Sequence, residues 1–199
     1  MLEGSPSFPA TFSFDPPERI ANWRPLVNWL LAIPHLIVLN VLQQVSNVVA
    51  LISWFAIVFT GKLPEGLATF QAMYLRYTLR TYTFAGFMRE EYPPFGFDTS
   101  ASDPGNDPRV RVDVRPQLTD RNRLTAFFRI ILVIPHVVVL AVLVIASFVV
   151  TLIAFFAVLF TGRWPAGMRD FVLNVWRWGL RVEVYFLLLT DTYPPFALG

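Results

Sequence analysis

The chain has 199 residues, 55% of them apolar, and its 16 basic against 14 acidic groups leave a formal charge of +2. That balance is too even to argue for nucleic acid, and the apolar share exceeds the ~45–50% of ordinary soluble domains. With no cysteine and two histidines, disulfides and thiolate sites are excluded and little is left for a histidine metal site.

The first twenty residues have neither a basic start nor an apolar core, so no signal peptide is expected. The apolar segments themselves would then direct insertion. Alternation over Ala10–Phe14 predicts a strand. Ile20–Ile33 reads as a short helix in which Trp23 and Trp29 suit the headgroup level. Pro34 should kink or break the chain there, because proline lacks a donor and disfavours helix at the residue before it. An apolar helix follows over 36–59, then a tight turn through Thr60, Gly61, Lys62, Pro64 and Gly66.

A second helix is expected over 67–88. Leu67, Phe70, Tyr74, Tyr77 and Phe84 form one stripe of it, and Thr69, Arg76, Arg80 and Thr83 another. Residues 96–108 are a polar linker rich in Asp, Pro and Gly.

The plan then recurs without a gap at an offset of 101: residues 34–61 and 135–162 are identical at 16 of 28 positions. The second copy has a strand over Arg109–Val114, a short helix over Arg121–Ile134 and a punctuating Pro135. Its apolar helix is 137–160 and its amphipathic helix 168–189. The 24 uncharged residues Val137–Phe160 would reach about 36 Å as a helix, beyond the ~30 Å hydrocarbon core. Unit 1 is thus residues 8–95 and unit 2 residues 109–196. The expected fold is an all-α integral membrane protein with minor β, two tandem repeats about a pseudo-two-fold axis, as in a fused dimer. The two strands should pair with each other or with a partner, since a lone strand is unstable.

Two placements of the amphipathic helices fit the sequence. Arginine at mid-membrane costs ~2.5–3.5 kcal/mol, which favours the interface. A duplication whose strands pair on one side requires each unit to begin and end on the same face, which favours membrane-embedded hairpins. The hairpin, and with it a multi-pass chain, is the expectation carried forward.

Four features are candidate sites. Asn40, Gln43, Gln44 and Asn47 share one face of the first apolar helix, where the second copy has Ala141, Val144, Ile145 and Phe148. Amides at membrane depth need partners. They would glue helices together, line a path for a substrate or ion, or meet a quinone or lipid headgroup. Arg76 with Arg80, and Arg177 with Arg181, each stand one turn apart and suit anionic lipid phosphate. The alternative is a structural fork to carbonyls or to Glu90, Glu91 and Asp191. His35 and His136 are equivalent, and a symmetric pair of helix histidines suits haem. The alternative is a ring bonded to a carbonyl freed by the neighbouring proline. Tyr-Pro-Pro-Phe, at Tyr92–Phe95 and Tyr193–Phe196, should tuck an aromatic back against its own unit. Ser46, Ser53 and Ser147 have no triad context, and no paired carboxylates suggest acid–base work.

Phe-Thr-Gly after an apolar helix, the Arg-bearing helix, Leu188–Asp191 and Tyr-Pro-Pro-Phe resemble a bacterial membrane-protein family of unknown function. Some of its members resemble one copy of the unit and others carry two. The resemblance implies a bacterial plasma (inner) membrane protein and supplies no activity or cofactor. The expectation is a non-enzymatic accessory or scaffolding subunit of a larger membrane complex. Its partners would be membrane lipids and other subunits or itself. The alternatives are a small transporter or channel lined by Asn40–Asn47, and a haem- or quinone-binding electron-transfer subunit.

Overall fold

The computed structural model describes residues 8–100 and 102–198; the reading of residues 1–7 lies outside them. The protein is mostly helical, with two tandem repeats and one small sheet. In chain order the elements are β1 (Ala10–Phe14), α1 (Arg24–Leu31), α2 (Ile33–Thr60), α3 (Glu65–Ala85), β2 (Val110–Val114), α4 (Arg123–Phe127), α5 (Arg129–Thr161) and α6 (Ala166–Phe186).

The strands pair with each other, antiparallel, with Phe12 opposite Val112. Their period-two pattern buries Ala10, Phe12 and Phe14 against Val110, Val112 and Val114. The long helices end as the turn sequence dictates. Gly61 and Gly162 take φ of 72° and 66°, a left-handed cap that glycine adopts without strain.

The prolines behave differently in the two copies. Pro34 sits in the first turn of α2, where its missing donor would have had no intrahelical partner. Pro135 lies inside α5, which runs on through it. The expected break at Pro135 is therefore displaced to Phe128, and the helix keeps an additional turn. A proline here disturbs the carbonyls one turn back, and the Tyr193 hydroxyl donates to one of them, Leu132 O, at 3.1 Å. The short helices are also shorter than expected, α4 covering five residues capped by Asn122.

Helices α3 and α6 stop before the predicted 88 and 189, because Phe87 and Leu188 adopt positive φ of 46° and 64°. The chain then closes on itself, Met88 N–H donating to Thr83 O and Leu189 N–H to Val184 O, as in a Schellman ending. Leucine and phenylalanine are strained in this region, so each turn is held from outside. Asn28 Nδ2 donates to Phe84 O and Arg89 O at 3.0 and 3.1 Å. At the equivalent place Arg129 Nη1 donates to Tyr185 O and Thr190 O at 2.9 and 2.7 Å. Different residues do the same work at one repeat position.

The units interlock by exchanging contacts. Ile20 N–H donates to Gly162 O at 2.8 Å, and its counterpart Arg121 N–H donates to Gly61 O at 3.2 Å. Asn22 Nδ2 reaches Leu159 O, and Trp54 Nε1 reaches Ala126 O. The start of each unit thus abuts the end of the other unit's long helix, and α2 and α5 run in opposite senses. β2 packs on α3 and β1 on α6, again across units.

These contacts build three layers. Gln71 and Tyr74 of α3 face α2, bonded to Ser46 and Gln43. Arg76 and Arg80 lie roughly half a turn round the helix and face the linker and sheet. α2 and α5 form the lower layer, α3 and α6 the middle, and the sheet with the linker the upper, polar layer. Both long helices are apolar and long enough to cross a membrane, and each is buried along one narrow seam.

Candidate functional site

The polar layer is internally committed. Arg76, buried, donates to Ser102 O at 2.9 Å and to Ser100. Arg80 pairs with Asp103 at 2.8 Å and Asn106 at 2.7 Å. Arg177 reaches Phe12 O and Asn174, and Arg181 reaches Ala197 O. Of the four arginines expected to meet lipid phosphate, Arg76 and Arg80 are buried and bonded within the chain. Both guanidiniums lie under the linker, where their positive charge is satisfied by the chain itself.

The acids before the Tyr-Pro-Pro-Phe motifs serve other arginines. Asp191 accepts from Arg121 and Arg129 at 2.9 and 2.6 Å. Glu91 pairs with Arg109 at 2.8 Å, and Glu90 lies 3.8 Å from Arg24. The most enclosed pair is Arg89 with Asp107, at 2.6 Å and with neither side chain exposed. Asp107 also accepts from the backbone N–H of Arg109 and Val110, each at 2.9 Å. Burial alone would push its carboxyl up, but the Arg89 guanidinium and these donors outweigh burial and hold it below the ordinary value. Asp191 is held low in the same way, burial being outweighed by Arg121 and the Asn122 N–H.

The histidines occupy matching aromatic boxes. His35 stacks on Phe95 with centroids 4.1 Å apart, and His136 stacks on Phe196 at 3.9 Å. The Phe of each Tyr-Pro-Pro-Phe thus folds back on its own unit. Tyr77 OH lies 2.7 Å from His35 Nδ1, and Trp178 Nε1 donates to His136 Nδ1 at 3.2 Å. An indole only donates, so Nδ1 of His136 holds its lone pair toward Trp178. Both rings are wholly buried, each inside its own unit. Nε2 of each ring, the nitrogen a haem iron would take, has no hydrogen-bond partner among the described residues.

The amide face is divided. Gln43 donates to Asn47 at 3.1 Å and accepts from the Tyr74 hydroxyl. Asn40, Gln44 and Asn47 are exposed on α2. The buried polar contact nearby is one the sequence did not single out: Ser46 Oγ donates to Gln71 Oε1 at 2.6 Å, and Gln71 returns a bond to Ser46 O.

Where α3 and α6 meet, equivalent residues face each other: Thr78, Leu79 and Tyr82 from one copy, Gly179, Leu180 and Glu183 from the other. With α5 they enclose a groove of about 620 Å³. Glu183 is its one charged lining residue and is exposed there; the apolar helices around it push its carboxyl up from the ordinary value. Tyr82 is raised too, first by burial and then by the nearby Glu183 charge. The signal for this site lay in the repeat, since α6 carries an acid where α3 carries a tyrosine.

No curated protein and no solved structure matches the chain. A family model does, twice in tandem, over residues 22–96 and 123–197. Both matches begin after the strands, so the repeated unit of the family is the helical part with its Tyr-Pro-Pro-Phe ending. The chain therefore belongs to the family described as a domain of unknown function, DUF4389, and carries two copies of it.

Proposed function

We propose that this protein is a non-enzymatic accessory or scaffolding module of a bacterial inner membrane. It seats its lower layer in lipid and presents its polar layer to water or to a larger membrane complex. The observation that carries the reading is the outward surface of α2 and α5. Leu51, Phe148 and Phe160 are 57%, 70% and 76% exposed, and none of the described residues covers them. Apolar surface on this scale marks a lipid or protein contact. α1 and α4 extend it with Trp23, Trp29, Leu124 and Phe127, and tryptophan suits the headgroup level.

The layering supports a seat in one leaflet over a multi-pass path. If α2 and α5 crossed, the polar layer beside the middle of α3 and α6 would lie at hydrocarbon depth. The two-stranded sheet has two open edges, and lipid-exposed edges and loops are not tolerated there. With the helices lying along the leaflet, the sheet and linker meet water.

Two measurements test the role. The protein should float with vesicles and stay with them through high salt and alkaline washing, as apolar burial is insensitive to both. Native mass spectrometry after mild extraction should then find a stoichiometric larger partner. A chain that washes off vesicles contradicts the seat, and one that is always recovered alone contradicts the subunit role.

A further inference from the structure

We infer that the groove between α3, α5 and α6 is a binding site for an amphipathic amine, whose ammonium group meets Glu183 and whose apolar tail lies along α5. The inference stands on the groove itself and does not rest on how the protein sits in lipid.

The groove's volume of about 620 Å³ falls within the ~300–1,000 Å³ of small-molecule sites. Its α5 wall is entirely apolar, through Val137, Leu140 and Val144. At Gly179 the groove is open, since a Cβ built there would meet no atom within 4 Å.

Against these walls stands one carboxylate. Among the described residues Glu183 makes no side-chain hydrogen bond and no ion pair. Asp103, Asp107 and Asp191, by contrast, each pair with an arginine. Glu183 is exposed at the groove, so its carboxylate is free to meet a ligand that carries a cation. The groups beside it select the kind of cation. Tyr82 and Trp176 line the same groove, with ring centroids 6.2 Å apart, and aromatic faces attract ammonium groups. An anionic or neutral amphiphile would gain the walls but leave Glu183 unpaired or repelled.

The site belongs to the second copy. By the offset of 101, Glu183 corresponds to Tyr82 and Gly179 to Thr78. The two equivalent positions face each other across the groove, one carrying the charge and the other the ring.

The test uses the full chain in phosphatidylcholine nanodiscs, with octylamine as the probe and octanol as its neutral match. Binding is read by titration calorimetry against empty nanodiscs. Octylamine should bind saturably at one site per chain, and octanol should not. Glu183→Gln, which keeps size and shape, should weaken octylamine at least tenfold with an unchanged melting temperature. Gly179→Leu, which fills the groove and leaves the charge, should weaken it as well. Equal binding by wild type and Glu183→Gln would overturn the site, as would octanol binding as tightly as octylamine. Loss of an oligomer in Glu183→Gln without octylamine binding would assign the carboxylate to a contact between subunits and overturn the ligand site.

Discussion

Asp107→Asn removes one charge from the most enclosed ion pair in the molecule and changes almost nothing else in shape. Arg89 Nη1 lies 2.6 and 2.8 Å from the two carboxylate oxygens, and both side chains are fully buried. The variant leaves the guanidinium enclosed against a neutral amide. Breaking a buried pair by removing one partner costs ~3–5 kcal/mol. For a chain of this size each kcal/mol moves the melting temperature by ~2–4 °C, so the fall should be roughly 6–20 °C. Asp107→Ala should fall further, since it also strands the N–H groups of Arg109 and Val110, at ~1–3 kcal/mol each. Melting followed by circular dichroism in one detergent checks this, with exposed Asp98→Asn as the unaffected control. The pair also predicts a pH dependence. Asp107 and Asp191 have folded values depressed below the ordinary carboxylate value, so the stability they contribute is complete above it. It is lost as pH falls through the folded values, below ~4. Asp107→Asn should flatten part of that acid limb. A variant melting within ~2 °C of the parent would refute the assignment of Asp107 as the anchor of the linker.

Gly162→Ala should cost at least ~1–2 kcal/mol, because its φ is +66° and a Cβ would stand 2.9 Å from Ile20 O. Gly167→Ala, with nothing within 4 Å, should be neutral or gain up to ~1 kcal/mol of helix propensity; melting temperatures separate the two. Gln71→Leu should cost ~1–3 kcal/mol by stranding the Ser46 hydroxyl, and adding Ser46→Ala should recover most of it, a coupling read from a double-mutant cycle. Leu51→Asp and Phe148→Asp lie on the uncovered face, so both should fold and melt like the parent yet float less with vesicles.

The repeat, the two apolar helices, the strands and the fold-back of Tyr-Pro-Pro-Phe were legible because each is written locally, as period, length or turn chemistry. What the sequence hid was pairing across distance. Asp107 and Asp103 read as linker composition, yet they hold Arg89 and Arg80 under the upper layer. Asn28 and Arg129 share no chemistry, so nothing local announced that both pin the end of a returning helix. Pro135 was read by its usual effect, and the donor that compensates it, Tyr193, lies far along the chain. The haem reading rested on symmetry between His35 and His136. The symmetry is present, and each ring stacks on the Phe of its own Tyr-Pro-Pro-Phe motif, a packing that no local period announced. The groove was the least visible feature, since it exists only where the two copies meet.

The seat in the membrane is the account's central claim, and labelling from one side tests it most directly. The chain has no cysteine, so single cysteines can replace Lys62, Arg163 and Asp98, all exposed. In sealed proteoliposomes of uniform orientation, an impermeant maleimide should label all three from the same side. Labelling of Lys62 and Arg163 from opposite sides, or of both from the side opposite Asp98, would mean that α2 and α5 cross the bilayer and would contradict the account.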